Sequence, residues 1–469
     1  MTIRVLSVTS ECAPLIKTGG LADVAGALPG ALAPLGVEMR TLLPGYPAVL
    51  AAMKGAKAVL SLSDLFGGPA TVRAVRMSGL DMLILDAPHL FDREGAPYHG
   101  SNGDWPDNAE RFAALSQVGA EIAAGALKDW APDILHCHDW QAGFAPLYLR
   151  EKHPGAKVGT VLTIHNVAFQ GISPKDTIEA LRLPATGMQP GGFEYWDQIS
   201  SLKAGMNWAD RITTVSPTYA GELLTPEFGM GLDGVLRERR DVLCGILNGI
   251  DTESWTPPYK TPAGKKRFKA KLRKYFGLPD SEGPLAVVIS RLTQQKGLDL
   301  LLEALPRLLD EGGQLALLGS GDPALEAAFR RAAEAHVNVA VEIGYNEGLA
   351  HLLIEGGDAI LVPSRFEPCG LTQLYGLRYG TIPVVAYTGG LADTVIPTSP
   401  AGLRAGVATG VQFHPVTADA MSRALDRLCA HFRDRDLWLT LQKNAMRHPV
   451  GWESSAPEYK ALYADILQS

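Results

Sequence analysis

An apolar run that reads as a strand, Ile3 to Val8, precedes Lys17-Thr18-Gly19-Gly20-Leu21-Ala22-Asp23, which opens the amphipathic stretch Leu21–Leu35. Much of that turn returns far downstream as Thr388-Gly389-Gly390-Leu391-Ala392-Asp393, again behind an apolar run, Ile382–Tyr387. A strand that feeds a helix through a glycine turn belongs to parallel α/β folds, whose crossovers lay helices over the sheet. The same turn offers bare backbone N–H groups and the positive end of a helix to an anion. Lys17 adds a mobile point charge beside the first copy. One anion-facing turn is therefore expected in each half of the chain.

The apolar spacing between these turns predicts strands at Met39–Leu43, Ala58–Leu62, Thr71–Met77, Asp81–Leu85, Ile134–Cys137, Val158–Ile164, Arg211–Val215 and Cys244–Leu247. Helices are expected at Ala109–Leu127 and Leu202–Ala209, with another starting at Ser216-Pro217, where Ser suits the N-cap and Pro the first helical position. Between His89 and Asn108 lies a polar loop holding Tyr98, His99, Asn102, Asp104 and Trp105, a composition more often functional than filler. Pro257-Pro258, Pro262 and Gly264 mark a linker, followed by a basic helix, Lys265–Lys274.

Alternation then resumes. Strands are expected at Leu285–Ser290, Gln314–Leu318, Val339–Ile343, Ala359–Val362 and Ile382–Tyr387, with helices at Leu298–Leu309, Ala324–Ala335, Glu347–Glu355 and Leu371–Arg378. The tail reads as helices Ala420–Ala430, Leu437–Gln442 and Trp452–Leu467.

At 469 residues the chain exceeds what one core supports. The expected fold class is α/β, with two doubly wound Rossmann-like domains facing across a cleft. Residues 1–250 form the first and 251–451 the second, with the terminal helix 452–469 packed back on the first. In such sheets ligands sit beyond the carboxyl ends of the strands, where the polar clusters of this chain fall.

Charge and cysteines narrow the class. The balance of 43 basic and 50 acidic residues, −7 in all, argues against nucleic acid or an anionic membrane as a partner. The five cysteines are scattered, with no C-x-x-C pair, as in a reducing compartment. No apolar run approaches the roughly 18 residues that span a bilayer, and no leader pattern is visible. A cytoplasmic protein is expected, and an oligomer is compatible with the sequence.

Several groups carry chemistry. Arg291 and Lys296, in Ser-Arg-Leu-Thr-Gln-Gln-Lys-Gly at the end of a strand, can converge on one diphosphate, the fork of Arg beside the point charge of Lys. In Pro363-Ser364-Arg365-Phe366-Glu367-Pro368-Cys369-Gly370, Glu367 stands between prolines ahead of a helix, placed to bind sugar hydroxyls or balance a cationic transition state. Its bland counterpart is an acid at a helix N-terminus. Cys369 is expected to act through its backbone N–H rather than its sulfur. His136, His138, Asp139, His165 and Asn166 cluster at strand ends, but His-x-His without further spaced ligands is a weak metal signal. Polar groups so placed suit a carbohydrate, with Trp140 or Trp105 to stack on it. Gly319-Ser320-Gly321-Asp322-Pro323-Ala324 matches a dinucleotide fingerprint, yet it sits in mid-domain and holds a proline, so a tight turn is expected.

Taken together, these motifs resemble the bacterial glycogen synthases and plant starch synthases, retaining glucosyltransferases of the two-Rossmann-domain (GT-B) type. The resemblance runs end to end and rests on the two glycine turns, the Glu367 loop, Ser290-Arg291-Leu292, His138-Asp139-Trp140-Gln141-Ala142-Gly143 and Asn248-Gly249-Ile250-Asp251. Cys137 and Gln141 depart from the histidine-rich form that the family often shows.

The resemblance implies transfer of glucose from ADP-glucose to the non-reducing 4-hydroxyl of an α-1,4-glucan such as glycogen, with no cofactor and no obligatory metal. The first domain would be the acceptor side and the second the nucleotide-sugar donor side. It implies a catalytic set of Glu367, His165, Lys17, Arg291 and Lys296. Lys17, Arg291 and Lys296 would hold the diphosphate, while Glu367 and the His165 backbone carbonyl would lie beside the anomeric centre. It further implies substrate contacts from Lys17, Gly19, Gly20, Asp23, Tyr98, Asp139, Asn166, Asn248, Cys369, Gly370, Leu371 and Thr372, with Tyr345 stacked on adenine. A phosphorylase-type enzyme with a pyridoxal-bearing lysine and a non-catalytic glucan- or nucleotide-binding module stand as alternatives.

Overall fold

The computed structural model describes residues 2–101 and 103–468; Asn102 of the polar loop lies outside them. The chain divides into two compact units. Met1–Gly249 with Trp452–Ser469 form one, and Ile250–Gly451 the other.

The first unit is built on a nine-stranded sheet. Its strands are β1 Ile3–Val8, β2 Val37–Pro44, β3 Lys57–Leu62, β4 Ala70–Met77, β5 Leu80–Asp86, β6 Ile134–His138, β7 Gly159–Ile164, β8 Arg211–Thr214 and β9 Leu243–Gly245. They lie in the order β9-β8-β7-β6-β1-β2-β5-β4-β3. All neighbouring pairs are parallel except β3–β4 and β4–β5, an antiparallel excursion at one edge. The order reverses between β1 and β6, so their carboxyl ends open the crevice where ligands of such sheets bind. β6 and β7 are almost wholly buried, as strands covered on both faces must be. The expected helix Leu21–Leu35 is α-helical over Gly20–Leu32 and tightens to a 3-10 turn at Ala33–Leu35, where Pro34 has no N–H to continue the ladder.

The last helix, Ala456–Ile466, belongs to this unit. Trp452, Ala456, Tyr459 and Tyr463 join Ile3, Val5, Val24, Leu28 and Ile134 in one core. Tyr459 and Tyr463 are fully buried, and the Tyr463 hydroxyl meets His136 Nδ1 at 2.7 Å.

The second unit carries six parallel strands: β10 Leu285–Ile289, β11 Gln314–Gly319, β12 Val339–Ile343, β13 Ala359–Val362, β14 Ile382–Ala386 and β15 Val411–Phe413. Their order, β12-β11-β10-β13-β14-β15, is that of a dinucleotide-binding Rossmann sheet, with the reversal between β10 and β13. The turn after β11 is tight because Gly321 lies against the next loop. Its N–H neighbour Asp322 donates to the Leu292 carbonyl at 2.7 Å, and a Cβ on Gly321 would stand 2.4 Å from that same oxygen.

The second glycine turn does not face an anion, contrary to expectation. Gly390 N–H donates to the carbonyls of Glu367 and Pro368, both at 3.1 Å. A Cβ on Gly389 would stand 2.1 Å from the Glu367 carbonyl oxygen, and one on Gly390 2.3 Å from that of Cys369. These glycines let the helix Gly389–Thr394 press its backbone onto the Glu367 loop. Gly390→Ala is therefore expected to destabilise the protein by roughly 1–3 kcal/mol, as overpacking does, read as a lower urea midpoint. Gly19 is the opposite case. Its φ of −156° is extended, and an added Cβ would meet nothing within 4 Å. Gly19→Ala is expected to leave the urea midpoint unchanged, because an added Cβ there meets no neighbour.

Candidate active site

In the second unit, the reversal between β10 and β13 holds a cavity of ≈ 180 Å³ lined by Ser290, Arg291, Lys296, Pro363, Ser364, Glu367, Gly370, Leu371 and Thr372, among others. The loop after β10 brings the two cations, and the loop after β13 brings the carboxylate. Lys296 Nζ donates to Glu367 Oε2 at 2.6 Å, and Ser364 Oγ donates to the same oxygen at 2.9 Å. The Lys296 and Glu367 side chains are 18% and 10% exposed, which makes this a largely buried pair. Arg291 is exposed and makes no ion pair among the described residues. Its guanidinium remains available to an incoming anion. Gly370, at φ +74°, and Leu371 lead into the helix Thr372–Tyr379, and Gly370, Leu371 and Thr372 all line the cavity, where the first turn of a helix has unsatisfied N–H groups.

That loop is braced from behind. Gln373 Nε2 donates to the carbonyls of Cys369 and Gly370 at 3.0 and 2.9 Å and to Thr394 Oγ1 at 3.2 Å. Arg365 forks onto Asp299 at 2.7 and 2.6 Å. Cys369 is buried and does not line the cavity. Tyr345 stands just past β12, away from the cavity lining, with its side chain 84% exposed.

In the first unit, the anion that caps the Lys17–Gly20 turn is internal. Glu11 accepts hydrogen bonds from Thr18 N–H, Thr18 Oγ1 (2.5 Å), Gly19 N–H (3.2 Å) and the Tyr98 hydroxyl (2.5 Å). The expectation that Gly19 offers an idle amide is corrected by this carboxylate, which the sequence reading missed. Its signal was an acid lying between the strand and the glycine turn. Tyr98 also meets Ser10 Oγ at 2.7 Å. Lys17 Nζ donates to Asp23 Oδ1 at 2.7 Å, with the lysine side chain 47% exposed. Gly20 is the first residue of the helix.

A second group lies at the ends of β6 and β7. Asp139, at a left-handed φ of 54°, turns its carboxylate to accept from His165 N–H at 2.6 Å and Asn166 N–H at 3.4 Å. Such a conformation in a non-glycine residue is strained and gathers at functional sites. Burial pushes the Asp139 carboxyl up to about 7. Asn166 spends its own Oδ1 on the Ala168 N–H at 3.0 Å, an Asx turn, so its side chain shapes the loop. Asn248, past β9, is buried, and its carboxamide oxygen has no partner among the described residues.

The histidines form a neutral, hydrogen-bonded ladder. His138 Nδ1 meets His165 Nε2 at 3.0 Å, His138 Nε2 meets Ser7 Oγ at 3.1 Å, and His136 Nε2 meets Thr163 Oγ1 at 2.6 Å. Among the described residues no group of His, Cys, Asp and Glu is arranged to hold a metal ion. Burial drives His138 down to about 3 and holds His136 and His165 well below 6.5.

A pH dependence of stability follows. These rings stay neutral when folded but take a proton below about pH 6.5 when unfolded, so their contribution is full above that value and is lost as pH falls through it. Asp139 works the other way, because its folded carboxyl keeps a proton up to about pH 7. Its contribution is present at low pH and is lost as pH rises from about 4 to 7. Three rings against one carboxyl leave a net loss of about 1–2 kcal/mol per pH unit just below pH 6.5. Urea midpoints at pH 7 and 5.5 will check it.

Two Rossmann-like units, one holding paired cations and a carboxylate at its switch point, are the architecture of a GT-B glycosyltransferase. Comparison with known proteins agrees. Residues 4–238 match the family model described as starch synthase catalytic domain, and residues 271–438 match glycosyl transferases group 1. A glycogen synthase of Paracoccus denitrificans (strain Pd 1222) is 63% identical over 462 residues, 98% of each chain. The catalytic domain of starch synthase IV from Arabidopsis thaliana, solved with ADP and acarbose, superposes with a TM-score of 0.87 at 31% identity, covering 100% of both chains. A sucrose-phosphate synthase from Thermosynechococcus elongatus shares the fold, with a TM-score of 0.62 at 18% identity over 99% of each chain. The chain belongs to the glycogen and starch synthase family and is a hexosyltransferase.

Proposed function

We propose that this enzyme transfers glucose from ADP-glucose to the non-reducing 4-hydroxyl of an α-1,4-glucan, with retention of configuration, as the chain-extending step of glycogen synthesis. The observation that carries the reading is the cavity at the β10–β13 reversal, where Arg291, Lys296 and the first turn of Thr372–Tyr379 surround one space beside Glu367. Departure of a nucleoside diphosphate from a sugar builds negative charge on phosphate and positive charge on the anomeric carbon. Fixed cations on the first and a carboxylate near the second stabilise the transition state more than the ground state.

Within this reading Arg291 and Lys296, with the amides of Gly370, Leu371 and Thr372, bind the diphosphate in the donor-side unit. Lys17 adds its charge from the acceptor-side unit. The exposed ring of Tyr345 is available to adenine. Glu367 and the His165 carbonyl face the reacting sugar, while Asp139 and Asn248 orient its hydroxyls. The leaving phosphate itself accepts the proton of the acceptor hydroxyl on the same face, which retains configuration without a covalent nucleophile. Because protein cations neutralise the leaving group, no metal is required. None of the five cysteines forms a disulfide among the described residues, as suits the cytoplasm. No helix among the described residues is long and apolar enough to cross a membrane.

The test is glucosyl transfer to glycogen from ADP-glucose and from UDP-glucose in parallel, with excess EDTA. Transfer from ADP-glucose that survives EDTA is the expected result. Transfer only from UDP-glucose, or only with added divalent cation, would overturn the donor or the metal part of the reading.

A further inference from the structure

The first unit exposes apolar side chains that its core does not use. Trp196 is 77% exposed, Phe169 53%, Ile172 41% and Met230 37%. Trp196 and Asp197 form the tip of the hairpin Glu194–Tyr195/Gln198–Ser200, and both have positive φ, 51° and 61°. Such a turn favours Asn-Gly, where no side chain is strained. A tryptophan there, held out into solvent, is an outlier of the kind that accumulates at binding sites.

The tip is also braced. Lys175 Nζ clamps the Asp197 carboxylate at 2.7 and 2.8 Å, Asp197 N–H donates to Glu194 Oε1 at 2.8 Å, and the Tyr195 hydroxyl donates to the Met230 carbonyl at 2.7 Å. Ile172 pairs in register with Ser200 in the same small sheet. The ring is therefore presented on a rigid support, at little further entropic cost on binding.

This platform is continuous with the acceptor-side strand ends. Phe169 N–H donates to the Asn166 carbonyl at 3.2 Å, directly after His165. The Trp140 ring, next to Asp139, lies against Gly171, where an added Cβ would stand 2.4 Å from it. Gly171 in turn precedes Ile172. The segment Phe169–Ile172 thus links the end of β7 to the hairpin sheet, with exposed apolar side chains at Phe169, Ile172 and Trp196.

Resting on the function proposed above, we propose that Phe169 and Trp196 form a platform for the α-glucan acceptor chain, seating glucose units remote from the reacting end. A pyranose ring has a C–H face that packs on an aromatic π face and a rim of hydroxyls that needs polar partners. Trp196 supplies the first, and the carboxylates of Glu194 and Asp197 at its edge supply the second. A protein partner would call for a contiguous apolar centre cleared of charge, whereas here the apolar residues alternate with charged ones.

The test is migration of the full-length protein in native gels with and without glycogen, for wild type, Trp196→Ala, Phe169→Ala and Trp196→Phe, with ADP affinity by calorimetry as a fold control. Each alanine variant is expected to weaken glycogen retention by roughly threefold to tenfold, the worth of one aromatic stack, with Trp196→Phe restoring most of it. ADP affinity is expected to stay within about twofold, since that site lies in the other unit. Retention of Trp196→Ala equal to wild type overturns the platform, as does a change in sedimentation with retention unaltered, which would mark a contact between copies. The readout does not depend on catalysis. Failure of ADP-glucose transfer and failure of the platform are therefore told apart.

Discussion

Glu367→Ala is expected to lower kcat by about 10²–10³, the scale on which loss of one transition-state electrostatic partner is felt, while ADP affinity changes far less. The structure adds a second effect that must be separated from the first. Glu367 is the counter-ion of Lys296 at 2.6 Å in a largely buried pair. Removing the carboxylate alone strands the ammonium, at a cost of about 3–5 kcal/mol in such a setting. Replacing both, as Lys296→Met with Glu367→Leu, is expected to recover the urea midpoint, because an apolar pair of like volume is close to neutral. It should not recover turnover. A double variant regaining both would remove Glu367 and Lys296 alike from the reaction. Near-normal turnover in Glu367→Ala would remove Glu367 from the reacting sugar.

Lys17→Ala is expected to lower kcat/KM for the donor by about 10²–10³ with almost no change in stability. Its partner is Asp23 at 2.7 Å, but the lysine side chain is about half exposed, and such pairs are worth roughly 0–1 kcal/mol. Steady-state kinetics and a urea titration on the same preparation will check both halves. Because stability stays constant, this variant isolates charge at the departing diphosphate more cleanly than Lys296, whose loss would also leave Glu367 unpaired. A fall in unfolding free energy of several kcal/mol, with turnover intact, would place Lys17 in the scaffold and not in the reaction.

The parallel strands were legible because burial on both faces leaves near-continuous apolar runs. Val339–Ile343 and Ala359–Val362 lie where the apolar pattern placed them. Short elements were not. The strand Val411–Phe413 and the helix Pro400–Ala405 are too brief to show a period; the strand is held by its pairing with β14 and the helix starts from the Ser399 cap. Arg291, Lys296 and Glu367 could be picked out, since charges in loops at strand ends have few structural uses. Their mutual arrangement could not, because Lys296 and Glu367 are far apart in sequence and meet only through the β10–β13 adjacency. The two glycine turns show the limit most clearly. Nearly identical residues take different work: Gly19 leaves open space, whereas Gly389 and Gly390 exist so that two backbones can touch. Sequence reports that a glycine is present, and only the neighbours say why. Glu11 and Tyr463 were missed for the same reason, since their partners come from other elements.

The helix Ala456–Ile466 has a consequence for how the protein is made. Its Tyr459 and Tyr463 complete the core beneath β1 and β6, yet it follows the whole of Ile250–Gly451 along the chain. The ribosome therefore releases the first unit's sheet long before the piece that closes it. The second unit, contiguous in sequence, is free to reach its native state first, and the half synthesised earliest is the half finished last. In that interval the apolar underside of the earlier sheet stays uncovered. A stop codon ahead of Ala456 would be expected to cost the cell the amino-terminal unit while leaving the carboxyl-terminal one folded.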